Sequence, residues 1–169
     1  MEFRDLIEER FSVRTYKPDP VPDDVLNGVL EAARLAPSAD NRQPYRILVI
    51  HTEGRREELK RIYNRDWFVQ GPLVIGAVAV PSEAWVRADG KSYVDVDVAI
   101  MMDHLILAAA DAGLGTCWIA NFNPAEARAV LGLPDEVVPL VFTPLGYPAE
   151  EPGWKRRRPL RELVRYERW

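Results

Sequence analysis

An almost wholly apolar helix constrains this chain more than any other feature of its sequence. From about Tyr93 to Ala112 the residue pattern favours a long helix, although the alternation over residues 94–98 briefly imitates a strand. From Ala99 onward the pattern is apolar nearly all round, which means burial on every side. A chain of 169 residues is most simply one domain, and a domain of this size can hardly bury such a helix alone. We therefore expect residues 1–169 to form a single domain in which this helix is a subunit interface.

Composition and charge exclude several classes of function. A net charge of -4 argues against a general nucleic-acid binder, because proteins that neutralise phosphates usually carry a basic excess. A single cysteine excludes an intrachain disulfide and a cysteine-based zinc site, and two histidines are too few for a histidine-based metal site. The apolar run over residues 99–114 is interrupted by charged residues and is too short to span a bilayer. Because the N-terminus shows no apolar signal region, we expect a cytoplasmic protein. From the preceding observations we expect no metal, no nucleic-acid partner and no membrane partner.

Apolar runs bounded by prolines predict the buried strands. Residues 47–50 are expected to form a central strand that is covered on both faces, and residues 73–80 a second buried strand. The Trp67–Phe68 pair could belong to the core, to a dimer contact or to the wall of a cleft. Further elements are expected as helices over residues 2–10, 23–36, 55–63 and 124–131 and as strands over residues 116–120 and 137–142.

The loop over residues 37–45, which we call the cradle loop, is unusually dense in hydrogen-bonding side chains. A plain turn uses Gly, Asn or Asp to bend the chain. Here Ser38, Asn41, Arg42 and Gln43 provide donors as well as acceptors between two stiff prolines. The pattern is typical of a rigid polar ligand cradle. The alternative is a loop whose polar groups satisfy only its own backbone.

Two basic segments are candidates for a phosphate site. Arg10, Ser12 and Arg14 alternate with apolar residues, so in an extended segment the two guanidiniums and the hydroxyl point the same way. Such a set suits a phosphate, although a solvated face would show the same pattern. The run over residues 155–158 is Lys-Arg-Arg-Arg and could be a solvated tail, a nucleic-acid contact or part of the same site. In an acidic protein, one shared phosphate site is the most economical interpretation.

Other motifs are interpreted structurally. Gly113 and Gly115 follow a helix and precede a strand, the reverse of a dinucleotide-binding fingerprint, so we expect a helix C-cap and a close approach to a ligand, respectively. Cys117 is expected to be a buried, inert thiol. The carboxylates of Asp95, Asp97 and Asp103 are expected on the helix surface or the subunit interface. His51 is expected to end a strand, and His104 to face a helix or subunit contact. Because no acid–base or nucleophilic set emerges, a bound cofactor is expected to carry the chemistry.

Four motifs in order resemble the signature of the nitroreductase-like flavoproteins and together cover nearly the whole chain. They are RFSVRTY at residues 10–16, PSADNRQPY at 37–45, GLGTCWI at 113–119 and KRRRPL at 155–160. The resemblance implies an α+β nitroreductase-like fold with a central mixed β-sheet flanked by helices. It also implies an interlocked homodimer with the long helix at its centre and a C-terminal extension, about residues 152–169, packed on the partner subunit.

The resemblance further implies FMN as the cofactor and NAD(P)H as the reducing cosubstrate. The reaction would be a ping-pong reduction of a small electrophilic acceptor such as a nitroaromatic or a quinone. The basic residues and the serine would hold the phosphate and ribityl chain, and the cradle loop would approach the isoalloxazine ring, partly from the partner subunit. Backbone around residues 120 and 121 would face the N5 edge. The implied FMN-binding residues are Arg10, Ser12, Arg14, Pro37, Ser38, Asn41, Gln43, Ala120, Asn121, Lys155 and Arg157.

One departure from the family pattern concerns the acceptor. Classical members place a Glu in the segment that faces N5, where this chain has Trp-Ile-Ala-Asn-Phe over residues 118–122. Two other functions stay open. The first is a flavin-fragmenting enzyme of the same superfamily, a subgroup that carries a serine where this chain has Thr116. The second is a flavin-binding module without turnover.

Overall fold

The computed structural model describes residues 1–153 and 155–169, which form helices around one small β-sheet. The helices are α1 (Phe3–Glu9), α2 (Asp23–Arg34), α3 (Arg56–Lys60), α4 (Val94–Asp111), α5 (Pro124–Leu131) and α6 (Leu160–Leu163). The strands are β1 (Tyr45–His51), β2 (Leu73–Ala79), β3 (Gly115–Thr116) and β4 (Val138–Gly146). The α+β class is confirmed.

The sheet has the order β1-β2-β4-β3, and each neighbouring pair is antiparallel. The parallel component of the expected mixed sheet is a single bridge between Ser12 and Thr116. Every residue of β2 is buried, which confirms the second buried strand. The expectation of a central, fully covered strand over residues 47–50 is wrong for the single chain. β1 lies at the sheet edge and is half-buried there, because it pairs with β2 alone.

Helix α4 provides the main core, and its position from Val94 to Asp111 confirms the expected long helix. One face is buried against α2 and the sheet. The buried side chains of that face include Val98, Met101, Met102, Leu105 and Ala109. The opposite face, with Val96 42% exposed and Ile100 half-buried, is only partly covered by this chain, so the expected burial on every side is not met within the single chain. The role of α4 as a subunit interface stays a prediction. Among the described residues, no helix combines the length and apolar character needed to cross a membrane.

A second, aromatic core lies on the other side of the sheet. Phe68 is fully buried there and meets Phe142 edge to face at a centroid distance of 6.5 Å. Leu59 and Ile62 anchor the short helix α3 in this core, as expected. The Trp67–Phe68 pair is therefore divided: Phe68 belongs to the core, and Trp67 lies half-buried beside it.

The C-terminal extension leaves its apolar side chains uncovered. Leu160 is 74% exposed and Trp169 is fully exposed, and Leu163 and Tyr166 are exposed as well. Burying such side chains is favourable, so they need a surface that their own chain does not offer. Trp154 lies outside the described residues of this segment.

Candidate functional site

The cradle loop is strained and braced by its own side chains. Asp40, Asn41 and Gln43 all have positive φ angles, of 54°, 53° and 50°, which L-residues rarely adopt. The Ser38 hydroxyl accepts a hydrogen bond from the Gln43 N–H at 2.9 Å, and the Gln43 amide donates to the Asn41 carbonyl at 3.1 Å. Some of the loop's polar side chains thus form hydrogen bonds with the loop's own backbone. Pro37, Asn41 and Gln43 are nevertheless exposed, and Ser38 is half-buried, so the loop presents a preformed polar surface.

Asp97 of α4 is buried and binds this loop. Our expectation that its carboxylate lies on the helix surface or at the subunit interface is therefore wrong. Its side chain is 1% exposed, and its Oδ1 accepts a hydrogen bond from the Ala39 N–H at 2.8 Å. Asp95 and Asp103 are exposed, as expected. The sequence did hold the signal, because Asp97 stands four residues before the buried Met101 and so shares its helix face.

The segment over residues 10–16 is held against the end of the sheet. The Val13 N–H donates to the Thr116 carbonyl at 2.9 Å, and the Tyr16 hydroxyl donates to the Val13 carbonyl at 2.7 Å. Val13 is buried, whereas Arg14 is exposed and Ser12 half-buried, so the expected alternation is present.

Gly115 permits this attachment, which corrects its expected role. A Cβ atom added there would lie 2.7 Å from the Val13 side chain. The close approach that this glycine allows is therefore to Val13 and not to a ligand. Gly113 has a φ of 74° just after α4, which confirms it as the helix terminator.

Four cationic side chains meet near this segment and form what we call the basic cluster, namely those of Arg10, Arg14, Lys155 and Arg157. The Lys155 ammonium donates to the Arg10 carbonyl at 2.7 Å and to the Glu8 carbonyl. Burial lowers the pKa of Lys155, and the nearby charges of Arg10 and Arg157 lower it further. The Arg14 guanidinium lies 5.8 Å from the Trp67 ring centroid, a cation–π distance. The structure thus places Lys155 and Arg157 beside Arg10, and Arg10 and Arg14 both act on the pKa of Cys117; the shared phosphate site stays a prediction.

Cys117 and Glu150 border the basic cluster. Cys117 is buried, and burial raises the pKa of its thiol, while Arg14, the Ser12 hydroxyl and Arg10 act in the opposite direction. This agrees with the expectation of a buried, unreactive cysteine. The Glu150 carboxylate accepts a hydrogen bond from the Arg14 N–H, which places one negative charge beside the cations. Sequence analysis missed Glu150, since no periodicity links it to residue 14.

Ala120 and Asn121 lie beyond the end of β3. The expected strand over residues 116–120 is shorter in the structure, because β3 ends at Thr116 and only Ile119 pairs again, with Phe142, at 2.8 and 3.0 Å. That pairing anchors the exposed residues 120 and 121 at the surface. Their position leaves the backbone accessible to a ligand.

The cradle loop and the basic cluster are attached at opposite ends of α4. Asp97, near the start of the helix, binds the cradle loop, whereas Asp111, at its end, binds the N-terminal ammonium of the segment that leads to Arg10. These two anchors are about 14 residues apart, which at about 1.5 Å per residue gives about 21 Å. One chain therefore presents two separate half-sites.

An antiparallel sheet flanked by helices, with a basic cluster and a polar loop toward the two ends of α4, defines an α+β protein, and comparisons with known proteins identify its family. The family model described as "Nitroreductase family" matches residues 7–72 and 61–147. A solved nitroreductase family protein from Clostridium difficile 630 is 35% identical, with a TM-score of 0.92 over 100% of both chains. The chain belongs to the nitroreductase family.

Curated relatives are named as oxidoreductases and as one synthase. An NADH dehydrogenase from Thermus thermophilus is 29% identical over 92% of this chain and 91% of its own length. An FMN reductase [NAD(P)H] from Bacillus subtilis is 25% identical over 92% of this chain and 69% of its own. A 5,6-dimethylbenzimidazole synthase from Rhodospirillum rubrum is 27% identical over 93% and 92%. The expected enzyme class, NAD(P)H-dependent flavin oxidoreductase, is confirmed.

Proposed function

We propose that two copies of this chain form an FMN enzyme that passes electrons from NAD(P)H to a small electrophilic acceptor such as a nitroaromatic or a quinone. Residues 1–169 act as one domain, and the extension over residues 152–169 packs on the partner. The observation that carries the proposal is the separation of the two half-sites by α4. Because about 21 Å of helix lies between their anchors, a complete site forms when the basic cluster of one copy faces the cradle loop of another.

The basic cluster fits the phosphate of FMN. Such a phosphate carries close to two negative charges, and the four cations of the cluster outnumber the nearby carboxylates of Glu8, Glu9 and Glu150. Arginine adds a planar fork of donors that matches phosphate oxygens. In this proposal Arg10, Ser12 and Arg14 hold the phosphate and ribityl chain, and Lys155 and Arg157 add charge.

The cradle loop and the exposed backbone after β3 fit the ring system. Pro37, Ser38, Asn41 and Gln43 would approach the isoalloxazine ring, and the backbone of residues 120 and 121 would face its N5 edge. A preformed polar surface loses little entropy on binding and so orients a ring well. The exposed side chains of the loop supply donors and acceptors for that contact.

When bound, FMN would accept a hydride from NAD(P)H and pass two electrons to the acceptor. The chain's own residues bind and orient it. Donor and acceptor take turns in the same place, which gives ping-pong kinetics. The segment over residues 118–122 lacks a Glu, so backbone groups rather than a carboxylate border that place.

A flavin-fragmenting activity is the second candidate, because one relative is named a 5,6-dimethylbenzimidazole synthase. Thr116 stands where the flavin-fragmenting subgroup carries a serine. It is 3% exposed within β3, where it pairs with Leu145. A side chain so placed is poorly situated to act on a ligand. A flavin-binding module without turnover is the third candidate, and it predicts bound FMN without NAD(P)H consumption.

A visible absorption spectrum is the first test. The purified protein is mixed with FMN, freed of excess and treated anaerobically with NADH or NADPH, and then a quinone is added. We expect retained yellow flavin that bleaches with nucleotide and recovers with quinone. Retained flavin without steady-state NAD(P)H consumption would contradict the reductase, and failure to retain FMN would contradict the site.

Mixed dimers test the composite site. One variant carries Arg10→Ala and Arg14→Ala, and the other carries Ser38→Ala and Asn41→Ala, so each homodimer binds FMN poorly. In a mixed dimer, one site combines both intact halves and the other combines both defects. We expect about one tight FMN per mixed dimer, because the halves come from different chains. If each site came from one chain, both sites would stay defective and no tight binding would return.

A further inference from the structure

We propose that Asp97 is a positioning residue that holds the cradle loop in its strained, ligand-ready conformation, an inference that rests on the proposed function. It does not touch the cofactor. It acts through the single backbone N–H of Ala39, and the Asp97–Ala39 contact is called the clasp below.

The first observation is the burial of the carboxylate. Asp97 is 1% exposed, although burying an acidic side chain is costly unless it is well paired. Its Oδ1 receives the Ala39 N–H at 2.8 Å, and its position in the first turn of α4 places it in the positive field of the helix. Among the described residues its Oδ2 has no hydrogen-bond partner. A group that lies buried and only half-paired stabilises the fold poorly, which points to a role in placing what it binds.

The second observation is the backbone of the loop itself. Asp40, Asn41 and Gln43 hold left-handed φ angles. Asp and Asn tolerate this region better than other L-residues, so the cost falls mainly on Gln43. Ala39 comes directly before the first of these three residues. A hydrogen bond at this point closes the loop onto the rigid helix and resists relaxation of the three residues that follow.

The third observation is the neighbouring tyrosine. The Tyr45 hydroxyl is buried at the other end of the loop, and it also lacks a hydrogen-bond partner among the described residues. Burial raises its pKa, and the nearby Asp97 carboxylate raises it further. Asp97 thus lies close to Ala39 and to Tyr45, the last residue of the cradle loop, and is placed to fix the span between them.

Two substitutions separate positioning from charge. Asp97→Ala removes the acceptor, whereas Asp97→Asn retains an oxygen that can accept from the Ala39 N–H. Asp95→Ala is the matched control, because it removes the same charge from an exposed position in the same helical turn. Circular dichroism and thermal unfolding establish that each variant is folded.

A third substitution removes the donor instead of the acceptor. Ala39→Pro deletes the N–H, and the preceding Ser38 has φ −139° and ψ 159°, the extended conformation that a following proline requires. This variant leaves Asp97 in place. If the clasp is the cause, its effect equals that of Asp97→Ala, and the double variant is no worse than either single variant.

The readouts are hydrogen exchange of the loop in the FMN-free protein and FMN affinity by fluorescence quenching. For Asp97→Ala and Ala39→Pro we expect loop exchange to quicken and FMN affinity to fall, each by about tenfold or more. We expect Asp97→Asn to stay within about threefold of wild type, and Asp95→Ala to be unchanged.

Several results would overturn the inference. Loop exchange that stays unchanged in Asp97→Ala, or additive effects of the two clasp substitutions, would show that the clasp does not hold the loop. Faster exchange with unchanged FMN affinity would show that FMN binding does not depend on the clasp holding the loop. Failure of the wild type to bind FMN would instead overturn the proposed function and, with it, the cofactor role of the clasp.

Discussion

The two regions at the ends of α4 are held in place by different physical means. At its start, the cradle loop is fixed by short hydrogen bonds, by strained backbone and by the buried Asp97. At its end, the segment over residues 10–16 is fixed by a sheet bridge and presents exposed, long cationic side chains. The first end offers a fixed shape, and the second offers charge on movable groups.

This difference assigns different tasks to the two ends. Exposed charges act over a distance but are screened by salt, whereas short hydrogen bonds within a fixed loop depend on geometry and respond little to salt. We therefore expect the basic end to determine how tightly an anionic cofactor is held, and the cradle end to determine how it is oriented. Four sets of variants test this comparison.

Loss of Arg10 and Arg14 should have the largest effect on FMN affinity. Arg10→Ala with Arg14→Ala removes two charge-assisted contacts, so FMN affinity should fall by about 100-fold or more, and its salt dependence should flatten. Fluorescence titrations at low and high salt measure both quantities. Arg4→Ala is the control, because Arg4 is exposed on α1 and pairs only with Glu8. An affinity within about twofold of wild type would remove these residues from the phosphate site.

The sheet attachment of the basic end should be next in size. Gly115→Ala places a Cβ 2.7 Å from Val13, which should lower the free energy of unfolding by about 1–3 kcal/mol. Val13→Gly in the same protein should make the combined loss smaller than the sum of the two single losses, because the Val13 Cβ, at 2.8 Å from the added atom, would be removed together with the two Cγ atoms. Gly28→Ala is the control, since an added Cβ there meets no atom within 4 Å in mid-helix, and it should stabilise by about 0.5–1 kcal/mol.

Chemical denaturation measures the Gly115 series. An unchanged midpoint for Gly115→Ala would show that the attachment is looser than the contact with Val13 suggests. Losses that simply add in the Gly115→Ala and Val13→Gly double variant would show that the two side chains do not compete for one space.

Loss of a loop hydrogen bond should have a smaller effect. Ser38→Ala leaves the Gln43 N–H without its acceptor, so FMN affinity should fall by about 3- to 10-fold, the value of one neutral hydrogen bond. Because the contact is uncharged, the loss should be the same at low and high salt. Ser82→Ala, at an exposed turn, is the control. A strongly salt-dependent loss would erase the distinction between the two ends.

Removal of the negative charge of Glu150 at the basic end should have the smallest effect and the opposite sign. Glu150→Gln keeps an oxygen that can accept from the Arg14 N–H but removes the charge. FMN should bind about 2- to 3-fold more tightly at low salt, and the gain should vanish at high salt. Glu151→Gln, next in the chain and exposed, is the control. Weaker binding would mean that the carboxylate itself helps to place Arg14.

The elements that sequence reasoning predicted well are those with a strong local signal. β2 is an unbroken apolar run and α4 an unbroken helical pattern, so burial and periodicity sufficed for both. β1 has the same apolar character as β2, yet it lies at the sheet edge, because strand order depends on pairing across the chain that no local pattern encodes.

The site shows the same limit. The basic residues were linked correctly by their charge, but the pairings of Glu150 with Arg14 and of Asp97 with Ala39 join residues far apart in sequence. Gly115 was assigned to a ligand because a glycine indicates close approach without indicating to what. Such contacts follow from the fold and can be seen only after it is known.

Helix α4 also restricts how a chain of this kind can change. One residue inserted into it would turn everything beyond by about 100° and advance it by about 1.5 Å, so the cradle loop and the basic cluster would lose their mutual setting. Surface loops tolerate added residues far more readily. Variation in length should therefore accumulate in the connections rather than in α4.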